Sequence, residues 1–173
     1  MRIVAVALLA VLSATGAEAA TRTATIAAIS ADGVGPELGT ITFSDSSGGL
    51  QVTPNLKGLP PGAHGFHIHE NPSCAPAENS EGKTVAGLGA GGHYDPDKTG
   101  KHLGPEAAGH LGDMPVLMVK DDQTVTTGGT VPRLKTGGLA GRSVIIHAGG
   151  DNYADQPAPL GGGGARIACG LIR

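Results

Sequence analysis

The chain has 173 residues, a formal net charge of −3 and 39% apolar residues, which fits one globular domain and excludes an intrinsically disordered polymer. With two Phe, two Tyr and no Trp, and with no basic face, nucleic-acid binding has no support. Thirty glycines and twelve prolines suit many short strands joined by turns.

Residues 1–19 have the pattern of a secretory signal peptide. Arg2 supplies a positive start, residues 3–12 are apolar, and Ala17-Glu18-Ala19 is a small-x-small cleavage site. The apolar run is too short to span a bilayer as a stable helix. A buried N-terminal helix is the other reading, and the cleavage site disfavours it. No cysteine follows the run, so a lipid anchor has no attachment point. The expected mature product is a single domain, residues 20–173. Cleavage removes one Arg and one Glu, so its net charge stays at −3.

Short β-branched or alternating runs then recur between turn residues. They lie at 21–29, 39–43, 50–53, 65–69, 115–120, 124–127, 143–147 and 165–172. No stretch sustains a 3.6-residue period. The expected fold is all-β, a Greek-key antiparallel sandwich or barrel of about eight strands. Two long segments interrupt it, 70–114 and 149–164. Structureless loops of that length in a compact domain are functional or disordered.

The histidines favour function. His67 and His69 stand at i and i+2 of a strand, so their imidazoles share one face. A lone histidine there reads as a core residue; a pair at this spacing equally reads as a metal-ligand pair, suited to Zn, Cu, Fe or Ni. The loop "HYDPDKTGKHLGPEAAGHLGD" adds His93, His102, His110 and Asp113. Three imidazoles and one carboxylate make a closed tetrahedral zinc set. The bland reading, scattered solvated histidines, is the weaker one for four such groups in 21 residues.

Two weaker motifs share this loop. Asp95-x-Asp97-x-Thr99-Gly100 with Glu106 approaches a calcium loop, but glycine and proline flank it where helices are required. "TGKH" lacks the upstream glycine of a phosphate loop, and His102 stands where Ser or Thr is needed. Further on, His147 ends an apolar strand in "IIHAGGDN". Arg166 follows four glycines and precedes Cys169 in "GGGGARIACG". It reads as a fixed cation or as an ordinary surface arginine. Cys74 and Cys169 are the two cysteines of the chain. An exported protein permits their disulfide, which would close a long loop and stabilise by about 4–5 kcal/mol in the chain-entropy model. Two separate buried thiols are the alternative.

Together "GFHIHE", "GGHYDPDKTGKHLGPEAAGHLGDMP", "HAGGDN" and "GGGGARIACG" resemble the copper/zinc superoxide dismutases, in particular their exported bacterial branch. The resemblance runs in order from about Thr23 to Arg173. It implies copper ligands at His67, His69, His93 and His147. It implies zinc ligands at His93, His102, His110 and Asp113, with His93 shared as a bridging imidazolate. It further implies a disulfide between Cys74 and Cys169, and catalytic roles for Arg166 and His93. Asp151 matches the aspartate that links one copper ligand to one zinc ligand, and Asp155 competes for that role. His64 has no metal to bind. Cofactors would be one copper and one zinc per subunit, the substrate superoxide, and the compartment the periplasm. No membrane anchor is expected, and a homodimer is one assembly the resemblance allows. Lys83, Lys98 and Lys101 are candidates for steering the anion. The competing reading from another class is a copper/zinc binding or delivery protein that does not turn over.

Overall fold

The computed structural model describes residues 20–173. The expected signal peptide lies outside the described residues. Twelve strands follow in chain order: β1 (Thr21–Ser30), β2 (Gly33–Ser46), β3 (Gly49–Lys57), β4 (Gly62–His64), β5 (Phe66–His69), β6 (Ala77–Glu78), β7 (Thr84–Val85), β8 (Leu117–Val119), β9 (Thr124–Val125), β10 (Thr130–Val131), β11 (Ser143–His147) and β12 (Arg166–Leu171). Helical segments among the described residues are short 3-10 turns.

The main sheet is antiparallel and pairs in the order β10-β3-β2-β1-β12-β11-β5, with β9 also on β3. β4 leads through Gly65 into β5 and pairs with β8. β8 turns back into β9 through the Lys120 N–H, which donates to the Thr124 carbonyl at 3.0 Å. The two ends of the sheet therefore meet, and the curled sheet closes as a barrel. Closure removes the exposed strand edges that invite aggregation.

The core follows from the two-residue period. Ile26, Ile41, Phe43, Val52, Phe66, Ile68, Val144 and Ile146 are buried in one cluster. On β5, Phe66 and Ile68 point into it, so His67 and His69 face outward. On β11, Val144 and Ile146 point inward, leaving Ser143, Ile145 and His147 on the outer face.

Two strands outrun the expected ones. β2 begins at Gly33 rather than 39, because Gly35 and Pro36 sit where the β1–β2 register shifts between Ala27 and Ile29. A bulge accommodates residues that otherwise read as a turn. β3 continues past Pro54. Val52, two residues earlier, sends its N–H away from β2, to the Gly129 carbonyl at 2.9 Å. Pro54 shares that side, so its missing donor removes no β2–β3 bond. β4, β6, β7 and β10 lie outside the expected strands; β4 has three residues and the others two each, too few to show a period.

Candidate metal centre

β5 forms the edge of the main sheet, and the loop 70–114 packs against it. The Tyr94 N–H donates to the Ile68 carbonyl at 2.8 Å, the Ile68 N–H to Gly112 at 2.9 Å, and the Gly112 N–H to Tyr94 at 2.8 Å. These bonds set His93 beside His69 and Asp113 beside His67. Gly112 permits the approach, since a Cβ there would lie 2.3 Å from the Ile68 carbonyl oxygen. β11 supplies the last element: Ile145 pairs with His67 and Ser143 with His69, which brings His147 to the same outer face.

Two overlapping sets result. His67, His69, His93 and His147 form one, and His93, His102, His110 and Asp113 the other. Within each set, one ligand atom per residue lies within 4.8 Å of all the others. All seven residues are buried. His93 belongs to both, and its ring is stacked on that of His67, with centroids 4.0 Å apart.

Hydrogen bonds select which nitrogen of each ring is free. His67 Nε2 donates to Asp151 Oδ2 at 2.7 Å, His69 Nδ1 to the Gly91 carbonyl at 3.0 Å, and His147 Nδ1 to the Gly164 carbonyl at 3.1 Å. His102 Nε2 donates to Asp151 Oδ1 at 2.8 Å. The opposite nitrogens, His67 Nδ1, His69 Nε2, His147 Nε2 and His102 Nδ1, are buried without a hydrogen-bond partner among the described residues, as are His93 Nε2 and His110 Nδ1. Buried polar atoms are normally satisfied. Six orphaned ring nitrogens converging in two sets are what metal coordination requires.

The second set adds a further mark. Nδ1 of His93, His102 and His110 lie 2.9, 3.0 and 3.4 Å from the single oxygen Asp113 Oδ1. His102 Nδ1 is the lone-pair nitrogen if Nε2 carries the proton. A lone pair facing a carboxylate oxygen is repelled unless a proton or a metal cation lies between them. Asp113 Oδ2 meanwhile accepts the Leu103 and Gly104 N–H groups at 3.1 and 3.2 Å. The donor set of three nitrogens and one carboxylate oxygen fits zinc, and the four-nitrogen set fits copper.

Electrostatics agree with neutral ligands on the copper-type side. Burial drives His67 down to about 3 and His147 down to about 4, and holds His69 well below and His93 below the usual imidazole value. Burial also opposes charge on His102, but the adjacent Asp113 and Asp151 carboxylates prevail and push it up to about 9. Asp113 and Asp151 resist burial for the same reason, and their histidine partners hold both below the usual carboxylate range.

Arg166 pairs across from His147 where the β11–β12 register shifts. Its Nη1 donates to the Gly87 carbonyl at 2.6 Å and its Nη2 to Gly91 at 2.8 Å. The Gly91 carbonyl thus receives both Arg166 and His69. Burial lowers the Arg166 pKa, yet a guanidinium stays charged. Cys74 and Cys169 form a disulfide with a Cα–Cα distance of 5.7 Å. It packs with Ala90 and Ile145, beside the segment that offers Gly87 and Gly91.

Asp151 and Asp155 play different parts. Asp151 joins the His67 and His102 rings, whereas Asp155 Oδ2 accepts the His102 backbone N–H at 3.0 Å. His64 is buried, and both its nitrogens face backbone carbonyls, of His147 at 2.7 Å and Pro60 at 2.8 Å. Lys83, Lys98 and Lys101 are exposed. The Asp95 carboxylate closes a local turn on Thr99 and Gly100. Arg133 and Arg142 had no sequence signal, because the loop groups they hold, the Glu70, Ala107 and Gly109 carbonyls and the Tyr94 ring, are distant in the chain.

The comparisons with known proteins agree. The copper/zinc superoxide dismutase (SODC) family model matches residues 37–172. A superoxide dismutase [Cu-Zn] 2 of Salmonella typhimurium is 50% identical over the whole of both chains. The solved Cu/Zn superoxide dismutase from Brucella abortus superposes with a TM-score of 0.87 at 50% identity, covering 89% of this chain and 100% of that one. The solution structure of the monomeric copper, zinc enzyme from Salmonella enterica gives a TM-score of 0.79 at 52% identity, with 89% and 100% covered. The chain belongs to the copper/zinc superoxide dismutase family.

Proposed function

We propose that superoxide dismutation, the activity of this enzyme, is carried by the residues just described. His67, His69, His93 and His147 hold copper. His93, His102, His110 and Asp113 hold zinc. The observation that carries this reading is the convergence of six unpartnered ring nitrogens in two sets that share His93. Copper supplies a one-electron couple, and zinc a fixed positive charge without redox chemistry.

The remaining steps belong to the chain. Arg166 docks the superoxide anion by charge-assisted hydrogen bonding, its guanidinium oriented by Gly87 and Gly91. His93 Nε2 is the nitrogen that takes and returns a proton beside the docked anion. Two superoxide anions and two protons then yield one dioxygen and one hydrogen peroxide. Asp151 orients His67 and His102 together. Arg166 beside a complete four-histidine set supports turnover rather than mere metal carriage.

Export of residues 20–173 as one domain, and a periplasmic location, are supported by the pattern of residues 1–19 and by the Cys74–Cys169 disulfide. Among the described residues no helix is long and apolar enough to cross a membrane. The Salmonella enterica relative is described as monomeric, which supports a monomer over a homodimer; sedimentation at micromolar concentration separates the two.

The deciding experiment is metal analysis with a superoxide assay on residues 20–173, alongside Arg166→Ala. One copper and one zinc per chain are expected, with activity that depends on copper. Arg166→Ala keeps both metals and loses about 10–100-fold in rate at low salt. A metal-loaded protein without activity would refute the catalytic reading, and an Arg166→Ala enzyme with unchanged rate would refute the docking role.

A further inference from the structure

Two arginines that take no part in the reaction hold the histidine loop from outside. Arg142 lies just before β11. Its Nε donates to the Gly138 carbonyl at 2.9 Å and its Nη1 to the Glu70 carbonyl at 3.1 Å. Its guanidinium carbon stands 3.4 Å from the centroid of the Tyr94 ring. Glu70 follows His69 and Tyr94 follows His93. Those two histidines face each other as an isolated antiparallel bridge, their ring centroids 5.0 Å apart. One side chain therefore grips the residue after each partner of the pair.

Arg133 makes a separate grip. Its Nη2 donates to the Gly109 carbonyl at 2.9 Å, and its Nη1 to that of Ala107. Gly109 precedes His110, whose N–H donates to the Lys101 carbonyl at 2.8 Å. None of the Arg133 partners is shared with Arg142.

The loop needs such grips. Gly87, Gly89, Gly91, Gly92, Gly100, Gly104, Gly109 and Gly112 run through it, and glycine leaves the backbone wide freedom. A ligand ring is held only as well as its backbone. A guanidinium suits this task because it stays charged and presents a planar fork that can bond carbonyls while stacking on a ring. Lysine can do one of these things but not all.

We infer that Arg142 and Arg133 are positioning residues for opposite halves of the centre. Arg142 orients the His69–His93 pair on the copper side, and Arg133 orients His110 on the zinc side. This rests on the ligand reading given above.

The test compares Arg142→Gln, Arg133→Gln and the parent enzyme, each loaded with both metals. The readouts are the Cu(II) paramagnetic resonance and visible spectra, the separate rates of copper and zinc loss to a chelator, and the melting temperature. Arg142→Gln is expected to alter the Cu(II) spectra and to release copper about tenfold faster, with a smaller acceleration of zinc release through the shared His93. Arg133→Gln is expected to release zinc about tenfold faster with the Cu(II) spectra unaltered. If Arg142→Gln does not fold, Arg142→Lys, which keeps charge but not the fork and stack, carries the same comparison. Unaltered release and spectra in both variants overturn the inference, as does parallel loss of both metals that tracks a fall in melting temperature. A parent enzyme that takes up neither metal overturns the ligand reading itself, and this inference with it.

Discussion

His64 Nδ1 lies 2.7 Å from the backbone carbonyl oxygen of His147, while the other nitrogen of the same ring lies 2.8 Å from the carbonyl of Pro60. One buried imidazole thus lies between the turn before β4 and the end of β11, where His147 sits. Replacing His64 by Ala removes the ring N–H that faces the His147 or the Pro60 carbonyl and leaves a void behind it. A loss of about 2–4 kcal/mol is expected, measured by denaturant unfolding of the metal-stripped protein, together with faster copper release from the loaded enzyme. An unfolding midpoint equal to that of the parent would show the contact to be idle.

Asp151 spans the two halves of the centre. Its two oxygens accept from His67 and His102, and its carboxylate is wholly buried. Asparagine keeps the shape but offers one acceptor oxygen, so one of the two rings loses its orienting bond. Asp151→Asn is expected to weaken retention of at least one metal by about 10–100-fold. Asp155→Asn, whose carboxylate meets only backbone N–H groups, should have a smaller effect. Competition with a chelator of known affinity measures both, and equal losses in the two variants would remove the distinction.

The Cys74–Cys169 disulfide spans 95 residues of sequence and pins the segment whose Gly87 and Gly91 carbonyls hold Arg166. Reduction is expected to lower stability by about 2–5 kcal/mol. It should also lower the rate at saturating metal, because the guanidinium loses its fixed acceptors. Calorimetry and a superoxide assay on the same reduced sample check both. A lowered melting temperature with full activity would confine the bridge to stability.

In metal-stripped protein the pH dependence has a definite sign. His67, His69, His93 and His147 are all held below the ordinary imidazole value. The unfolded chain therefore binds more protons as pH falls below about 6.5, and stability falls with it. His102, pushed up to about 9, has the opposite sign: its contribution is complete below about 6.5 and disappears as pH rises toward 9. Maximal stability is expected near neutrality, with the steeper decline on the acid side, where four histidines act together and His102 no longer changes. Urea midpoints from pH 4 to pH 9 measure it, and a maximum near pH 5 would contradict this balance.

How much was legible in the chain itself varies by element. β11 follows from its continuous apolar, β-branched run, and the pairing of His67 with His69 on one face from the two-residue period; both are local signals that need no tertiary partner. The all-β class follows in the same way. The extension of β2 through Gly35 and Pro36 did not, since a bulge and a turn use the same residues. Nor did the course of the loop 70–114, which is held by backbone bonds such as Tyr94 to Ile68 that no side-chain pattern announces. The proposed metal ligands were named from the motifs through resemblance, whereas the choice of nitrogen on each ring came from acceptors such as Gly91 and Gly164.

Sequence by itself determined the inventory: an all-β chain, seven histidines, one cysteine pair, and a histidine pair on one strand face. It left Asp151 and Asp155 as rivals for one role, and left His64 without a role. Only the tertiary structure separated them, placing Asp151 between two rings, Asp155 on a backbone N–H, and His64 behind His147. The physical reason is that a hydrogen bond depends on distance and direction between atoms. Bonds such as Asp151 to His67, 84 residues apart, exist only once the barrel has closed and the loops have packed upon it.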